Sequence, residues 1–384
     1  MKFIKYYSSI IKGYQLVIVI LIFLLTLLSL ACFYYSFNNA IITGGSIDLP
    51  FHSVELFIKK NNPYTNVDQG VSPYAHSAYV LYSPLTIFNY ESAKILWASL
   101  NIFASIIIVI LFSKFSKLTY LGNIFISLVF FCSLPLRVSI GNGQTSILIL
   151  LVYLAFFIKN KSLRTFVIGF SFIKYSFSIV TLLYFLIKYK LKYLFISCLV
   201  LVIGWLLFSF YLEENPIRTL LQPLQTAFST FAFHLPRGDL HTVLNIFNKQ
   251  NLINNFNIIN IFVCLCFGLF LSINVAKISI NNILLIISLL AIGNLLILPH
   301  IIYDYVLLLP SLFYSWKYKK SIAGLISVFV IFYFWFGIKI IYYINFYVFN
   351  SSDINPSPTD FERIINFSLL LILFYLNFKM RKKY

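Results

Sequence analysis

"KNKSLRTFVIGFSFIKYSFSIVTLLYFLIKYKLK", residues 159–192, is an apolar run with a basic cluster at each end and Lys174 near its middle. Its length suits one membrane crossing, but a crossing would carry one of the two clusters to the outer face. Lys and Arg beside membrane helices collect on the cytoplasmic side. Both clusters obey that rule only if the segment leaves on the side where it enters, as a broken, re-entrant helix pair turning near Lys174. The expected fold is therefore a bundle of spanning helices built around one segment that does not span.

The rest of the chain supplies such a bundle. Of the 384 residues 60% are hydrophobic and 19% aromatic, with 10% charged and a mean hydropathy of +0.89, a balance outside that of soluble domains. Apolar runs long enough to cross a bilayer fall at 15–37, 93–112, 120–136, 144–158, 193–212, 257–276, 283–299, 301–316, 321–348 and 364–379. At roughly 20 residues per crossing these make about ten spans. The class expected is an all-α polytopic membrane protein, a single integral membrane domain over residues 1–384. The first run is too long for a signal-peptide core and lacks a small-residue cleavage site, so it is expected to stay as an uncleaved span. The longest connections, about 38–92 and 213–256, both face outward if the N-terminus is cytoplasmic. No internal repeat is visible.

The net charge of +18 follows the same topology. With the N-terminus inside, the clusters at 2–12, 114–117, 159–164, 188–192, 317–320 and 379–383 are all cytoplasmic, and so is the C-terminus, whereas all 11 acidic residues fall in outer loops or outer ends of spans. Orientation and anionic lipid account for the lysines, and nucleic acid is not an expected partner because no basic stripe lies on a recognisable nucleic-acid fold. The location expected is the cell (inner or plasma) membrane. The cytoplasmic loops are short and carry no glycine-rich phosphate loop, which argues against a nucleotide-driven machine. Cys32, Cys132, Cys198, Cys264 and Cys266 lie in or beside apolar runs without the spacing of a metal or disulfide framework and read as small apolar side chains. No cofactor is expected, and no metal ligands are assigned; dependence on a divalent ion is left open.

This topology gathers Asp48, Gly143, Gln144, His300 and Asp304 on the outer face. Asp48 opens "DLPFHSVELFIKKNNPY", residues 48–64, whose apolar positions Phe51, Val54, Leu56, Phe57 and Ile58 suit a short interfacial helix. It reads either as a solvated loop carboxylate or helix cap, or as an acid within reach of a lipid-linked headgroup. "GNGQTS", residues 141–146, reads as an ordinary turn and cap, or as an exposed helix N-terminus able to hold an anion. Lys174 is costly in an apolar segment unless it snorkels or faces a polar cavity or partner. In "LPHIIYDYVLLLP", residues 298–310, His300 and Asp304 stand four apart, on one face of a helix. Asp304 would orient His300, leaving the other ring nitrogen for a phosphate oxygen or a proton. A buried structural pair is the plain alternative, and two ligands make a weak metal site.

Taken in order, the outer-loop aspartate, "NNPY", "YSPL", "GNGQ", the lysine of a broken segment between basic clusters and the late "PHIIYD" resemble glycosyltransferase family 87 over about residues 44–310. The resemblance implies a GT-C-type bundle and transfer of a hexose, mannose-like, from a polyprenyl-phosphate sugar to an envelope glycolipid or glycan. By the same resemblance Asp48 is the catalytic base. Asn62, Tyr64 and Tyr82, which belong to the motifs completed by Pro63 and Pro84, line the substrate cavity. Gly143, Gln144, Lys174, His300, Asp304 and Arg137 hold the donor phosphate and sugar. Ser83 and Ser146 depart from the family's usual proline and asparagine, and no proline follows Lys174. The rival classes are a transporter or flippase of lipid-linked solutes, and an O-antigen polymerase or ligase. The latter would carry a larger late outer loop with several arginines, where 213–256 holds Arg218 and Arg237.

Overall fold

A computed structural model describes residues 2–65, 74–174, 177–223, 225–226, 238–248, 256–348 and 358–381. Arg237, Lys382 and Lys383 lie outside the described residues, as do parts of both long outer loops. Every described regular element is helical. The first half of the chain runs α1 Lys2–Ile41, α2 Phe51–Ile58, α3 His76–Tyr82, α4 Tyr90–Ser116, α5 Tyr120–Cys132, α6 Leu134–Gly141, α7 Ser146–Tyr153, α8 Lys161–Gly169, α9 Ile179–Lys188 and α10 Leu191–Tyr211.

Seven helices among the described residues are long and apolar enough to cross a membrane, and eight if the bent pair α5–α6 counts as one span. This is a multi-pass membrane protein. The 50° bend falls at Ser133, extended at φ −66°, ψ 142°, just before Leu134-Pro135: proline has no backbone donor and is tolerated in the first turn of a helix, so a new helix starts there. Two runs expected as full crossings are shorter. Residues 144–158 form α7 with a 3-10 extension, Leu154–Phe157. Residues 301–316 form a 3-10 stretch, Ile302–Leu308, that becomes α-helix at Leu309–Lys317, just before Pro310.

The core gathers around helix Ile283–Ile297, in which every residue from Leu285 to Ile297 is buried. A helix apolar all round loses nothing by being surrounded by protein, which puts it at the centre. A second apolar cluster joins Phe51, Val54 and Phe57 of α2 to Tyr64, Tyr79, Trp97 and Phe208. The expected short helix after Asp48 is thus present, with one face buried.

The segment 159–192 is broken, as its charges demand. Asn160 caps α8 by accepting from Leu163 N at 3.1 Å. The helix tightens into a 3-10 turn, Phe170–Ile173, and Lys174 leaves the helical region at φ −116°, ψ 109°. At the far ends Arg164 Nη1 donates to the Tyr189 hydroxyl at 3.2 Å. Start and finish of the segment are therefore side by side, the geometry of a re-entrant pair. α8 also meets α10 without side chains between them, since a Cβ on Gly169 would lie 2.3 Å from Ser197 O.

A break at membrane depth frees backbone groups that lipid cannot satisfy. Here neighbouring helices do so. Ala75 N donates to Ile173 O at 3.0 Å, the Tyr153 hydroxyl to Phe177 O at 2.9 Å, and Ser272 Oγ to Val180 O at 2.9 Å. Asn294 is the hub. Its Oδ1 accepts from Val180 N at 2.9 Å while its Nδ2 donates to the Tyr153 hydroxyl at 2.9 Å and to Thr181 Oγ1 at 3.0 Å. Asn294→Leu keeps the volume and strands these partners, so a loss of about 1–3 kcal/mol is expected, read as a lower midpoint of thermal unfolding in detergent.

Candidate active site

Two turns and the break build the site. After α1 the chain reverses through Gly44 (φ +79°) and Ser46 (φ +52°) before α2 begins. Ser46 N donates to Gly141 O at 3.0 Å and Asp48 N to Asn142 O at 2.9 Å. The turn bearing Asp48 is thus bonded, backbone to backbone, to the turn that joins α6 to α7. Gly143 sits in that second turn at φ +72°, and a Cβ there would lie 3.1 Å from Leu49 Cβ and 3.2 Å from Ser46 Cβ. Both the left-handed backbone and the close approach require glycine. Gly143→Ala is expected to lose about 1–2 kcal/mol from the backbone alone and to push the Asp48 turn outward. Unfolding midpoint and activity should fall together.

Lys174 reaches from the break into this place. Its Nζ donates to Asp304 Oδ1 at 2.8 Å, to Ser146 Oγ at 3.2 Å and to Gln144 Oε1 at 3.4 Å. The rings of Phe177 and Tyr303 flank it, each with its centroid 4.9 Å away. Asp304 is 2% exposed and Lys174 15%. Its carboxylate also accepts from Ser146 Oγ at 2.5 Å and from Ile301 N at 3.2 Å. A buried ion pair persists only when such extra hydrogen bonds satisfy both partners.

Tyr74 ties Asp48 to this pair. Burial pushes its phenol well above the ordinary range, and the nearby Asp48 and Asp304 carboxylates push it the same way. A half-buried acid, Asp48, and a buried one, Asp304, therefore both act on one phenol.

Two sequence expectations need correcting. The start of α7 is not an exposed anion site: Gln144, Thr145 and Ser146 are buried, and the carboxylate of Asp304 occupies the Ser146 hydroxyl. His300 and Asp304 do not share a helix face, because His300 precedes the 3-10 stretch in non-helical chain. Pro299 and the early 3-10 winding break the four-residue register. Asp304 turns to Lys174, while His300 lies with Nδ1 3.4 Å from Leu298 O and its ring edge-on to Tyr305 at 5.1 Å.

The remaining candidates spread around this centre. Asn62 bridges the two long loops, donating to Glu214 Oε1 at 2.7 Å and Gln222 Oε1 at 3.1 Å and accepting from Tyr64 N at 2.9 Å. The Tyr64 hydroxyl donates to Tyr74 O at 2.7 Å. Tyr82 stands edge-on to Trp97 at 5.2 Å, and Pro84 starts the 3-10 turn Ser83–Ile87. Arg137, on α6, has its Nε buried without a hydrogen-bond partner among the described residues; no described hydrogen bond joins it to Lys174. Ser146, Tyr74 and Tyr303 were not singled out as site residues by the sequence, because a serine and two tyrosines in an aromatic-rich chain carry no spacing signal. Among the described residues no group of three or more His, Cys, Asp or Glu could hold a metal ion.

Comparison with curated proteins and with solved structures finds no match. Residues 74–246 match the family model Glycosyltransferase family 87. That stretch contains Tyr82, Gly143, Gln144 and Lys174, while Asp48, His300 and Asp304 lie outside it. The match supports the resemblance to glycosyltransferase family 87 that the ordered motifs carry, and with it the reading of the chain as a membrane glycosyltransferase.

Proposed function

We propose that this protein transfers a hexose, mannose-like, from a polyprenyl-phosphate sugar to an envelope glycolipid or glycan on the outer face, with inversion at the anomeric carbon. The observation that carries the reading is the bonding of the Asp48 turn to the Gly143 turn beside the Lys174–Asp304 pair. It supports the reading by tying the turn of a half-buried carboxylate to the turn that precedes Ser146, a partner of the Lys174–Asp304 pair. In the reaction Asp48 takes the proton of the acceptor hydroxyl as its oxygen attacks the anomeric carbon, and the bond from that carbon to the phosphate oxygen breaks. The polyprenyl phosphate leaves with the bonding electrons.

Charge develops on that phosphate, and preorganised donors stabilise it without reorganising. Lys174 Nζ already makes three hydrogen bonds, of which the longest is the one to Gln144 Oε1. A phosphate oxygen takes over that position, leaving Asp304 and Ser146 to hold the ammonium in place. His300 and Arg137 add donors. Helix α7 and its 3-10 extension rise about 20 Å from the basic cluster at 159–164 to Ser146, against about 30 Å for the hydrocarbon core. With that cluster at the cytoplasmic surface, Ser146 and the Lys174–Asp304 pair lie about 10 Å below the outer headgroups, within reach of a lipid-borne phosphate.

The test uses purified protein in lipid with a panel of radiolabelled polyprenyl-phosphate sugars and a glycolipid extract as acceptor. Label in a new glycolipid, with release of polyprenyl phosphate, is the expected result. Saturable movement of intact lipid-linked sugar across the bilayer without a new product would replace this reading with that of a transporter.

A further inference from the structure

One face of α4 carries four side-chain donors at Tyr90, Lys94, Trp97 and Asn101, a spacing of four, three and four residues that keeps them in a single stripe. All four end on backbone carbonyls of the two turns that meet at Asp48 and Gly143. The Tyr90 hydroxyl donates to Gly45 O at 3.4 Å. Lys94 Nζ donates to Ile41 O and Ile42 O, both at 3.1 Å. Trp97 Nε1 donates to Gly143 O at 2.8 Å and Asn101 Nδ2 to Gln144 O at 3.3 Å.

Lys94 is the costly member. Its side chain is 1% exposed although it is an ammonium, and its third proton goes to Glu91 Oε2 at 2.8 Å. Its position against the last carbonyls of α1 suits a cation, since the negative end of a helix dipole lies there. Trp97 needs its indole N–H partner because it too is buried. Neither residue touches Lys174 or Asp304 by any described hydrogen bond, so the stripe holds the turns and not the ion pair.

We propose that Lys94 and Trp97 are positioning residues for the transfer step: the α4 stripe fixes the Asp48 turn against the Gly143–Gln144 turn, and so sets the distance from base to donor. The inference rests on the reading of Asp48 as base. The base is carried on a turn, and a misplacement of about 1 Å costs on the order of 100-fold in rate. The donor's phosphate is held by other groups, so its binding does not depend on the stripe.

The experiment compares Lys94→Met and Trp97→Phe with wild type, as full-length protein in lipid, using radiolabelled polyprenyl-phosphate mannose. Both turnover and amide hydrogen exchange over residues 44–49 and 141–145 are measured. The expected result is a kcat lowered about 100-fold in Lys94→Met and about 10-fold in Trp97→Phe. Donor KM stays within about twofold of wild type, and exchange is faster in both turns. Wild-type kcat in Trp97→Phe, or a fall in activity that comes entirely through donor KM, overturns the proposal. Trp97→Phe keeps the ring against Tyr82, so it decides the matter if Lys94→Met fails to fold. Asp48→Asn run in parallel separates the two readings: full activity there removes the base assignment, whereas the exchange data and the kcat–KM split report on the stripe itself.

Discussion

Asp48→Asn is expected to lower kcat by about 10³-fold or more, to the background of the assay, while the protein inserts, melts and binds donor as wild type. The change removes one proton acceptor and keeps the shape. General-base catalysis contributes about 10²–10⁴-fold. The backbone N–H of residue 48 would still donate to Asn142 O, so that tie between the two turns is kept. The measurement is single-turnover transfer from radiolabelled donor beside a melting curve. Full activity in a folded variant would remove Asp48 from the mechanism.

Lys174→Met carries the largest expected effect on stability. It leaves the Asp304 carboxylate, 2% exposed, without its cation, and breaking a buried pair by removing one partner costs about 3–5 kcal/mol. Activity should vanish as well, because the phosphate loses its ammonium. The double variant Lys174→Met/Asp304→Asn separates these losses. An amide at 304 can still accept from Ser146 Oγ or Ile301 N, and no buried charge remains, so most of the stability should return while transfer stays absent. Thermal unfolding in detergent and the transfer assay together decide it. Recovery of activity in the double variant would show that Lys174 serves the fold alone.

The candidate site was legible in the sequence to different depths. Lys174 stood out because a charge inside an apolar run must have a partner, and the basic clusters around it gave away the broken geometry. The partner was not legible. Asp304 is 130 residues away along the chain, and its spacing from His300 suggested a different pairing that local 3-10 winding undoes. Ser146 read as a departure from a pattern, yet it joins both members of the ion pair. Asn62 read as a cavity residue, whereas its side chain also bridges the two long loops.

The sequence by itself determined the membrane-bound, all-helical class, the helix α2 after Asp48, the break at Lys174 and the resemblance to the family. These follow from hydropathy, charge placement and motif order, which are local or one-dimensional properties. The tertiary structure alone decided which runs are long enough to cross, that Asp304 answers Lys174, that Asn294 satisfies the broken backbone, and that α4 clips the two turns together. Such outcomes depend on which buried donor finds which acceptor once the helices close around Ile283–Ile297. A buried polar group must be satisfied by whatever neighbour packing brings near, and the neighbour's place along the chain carries no trace of it.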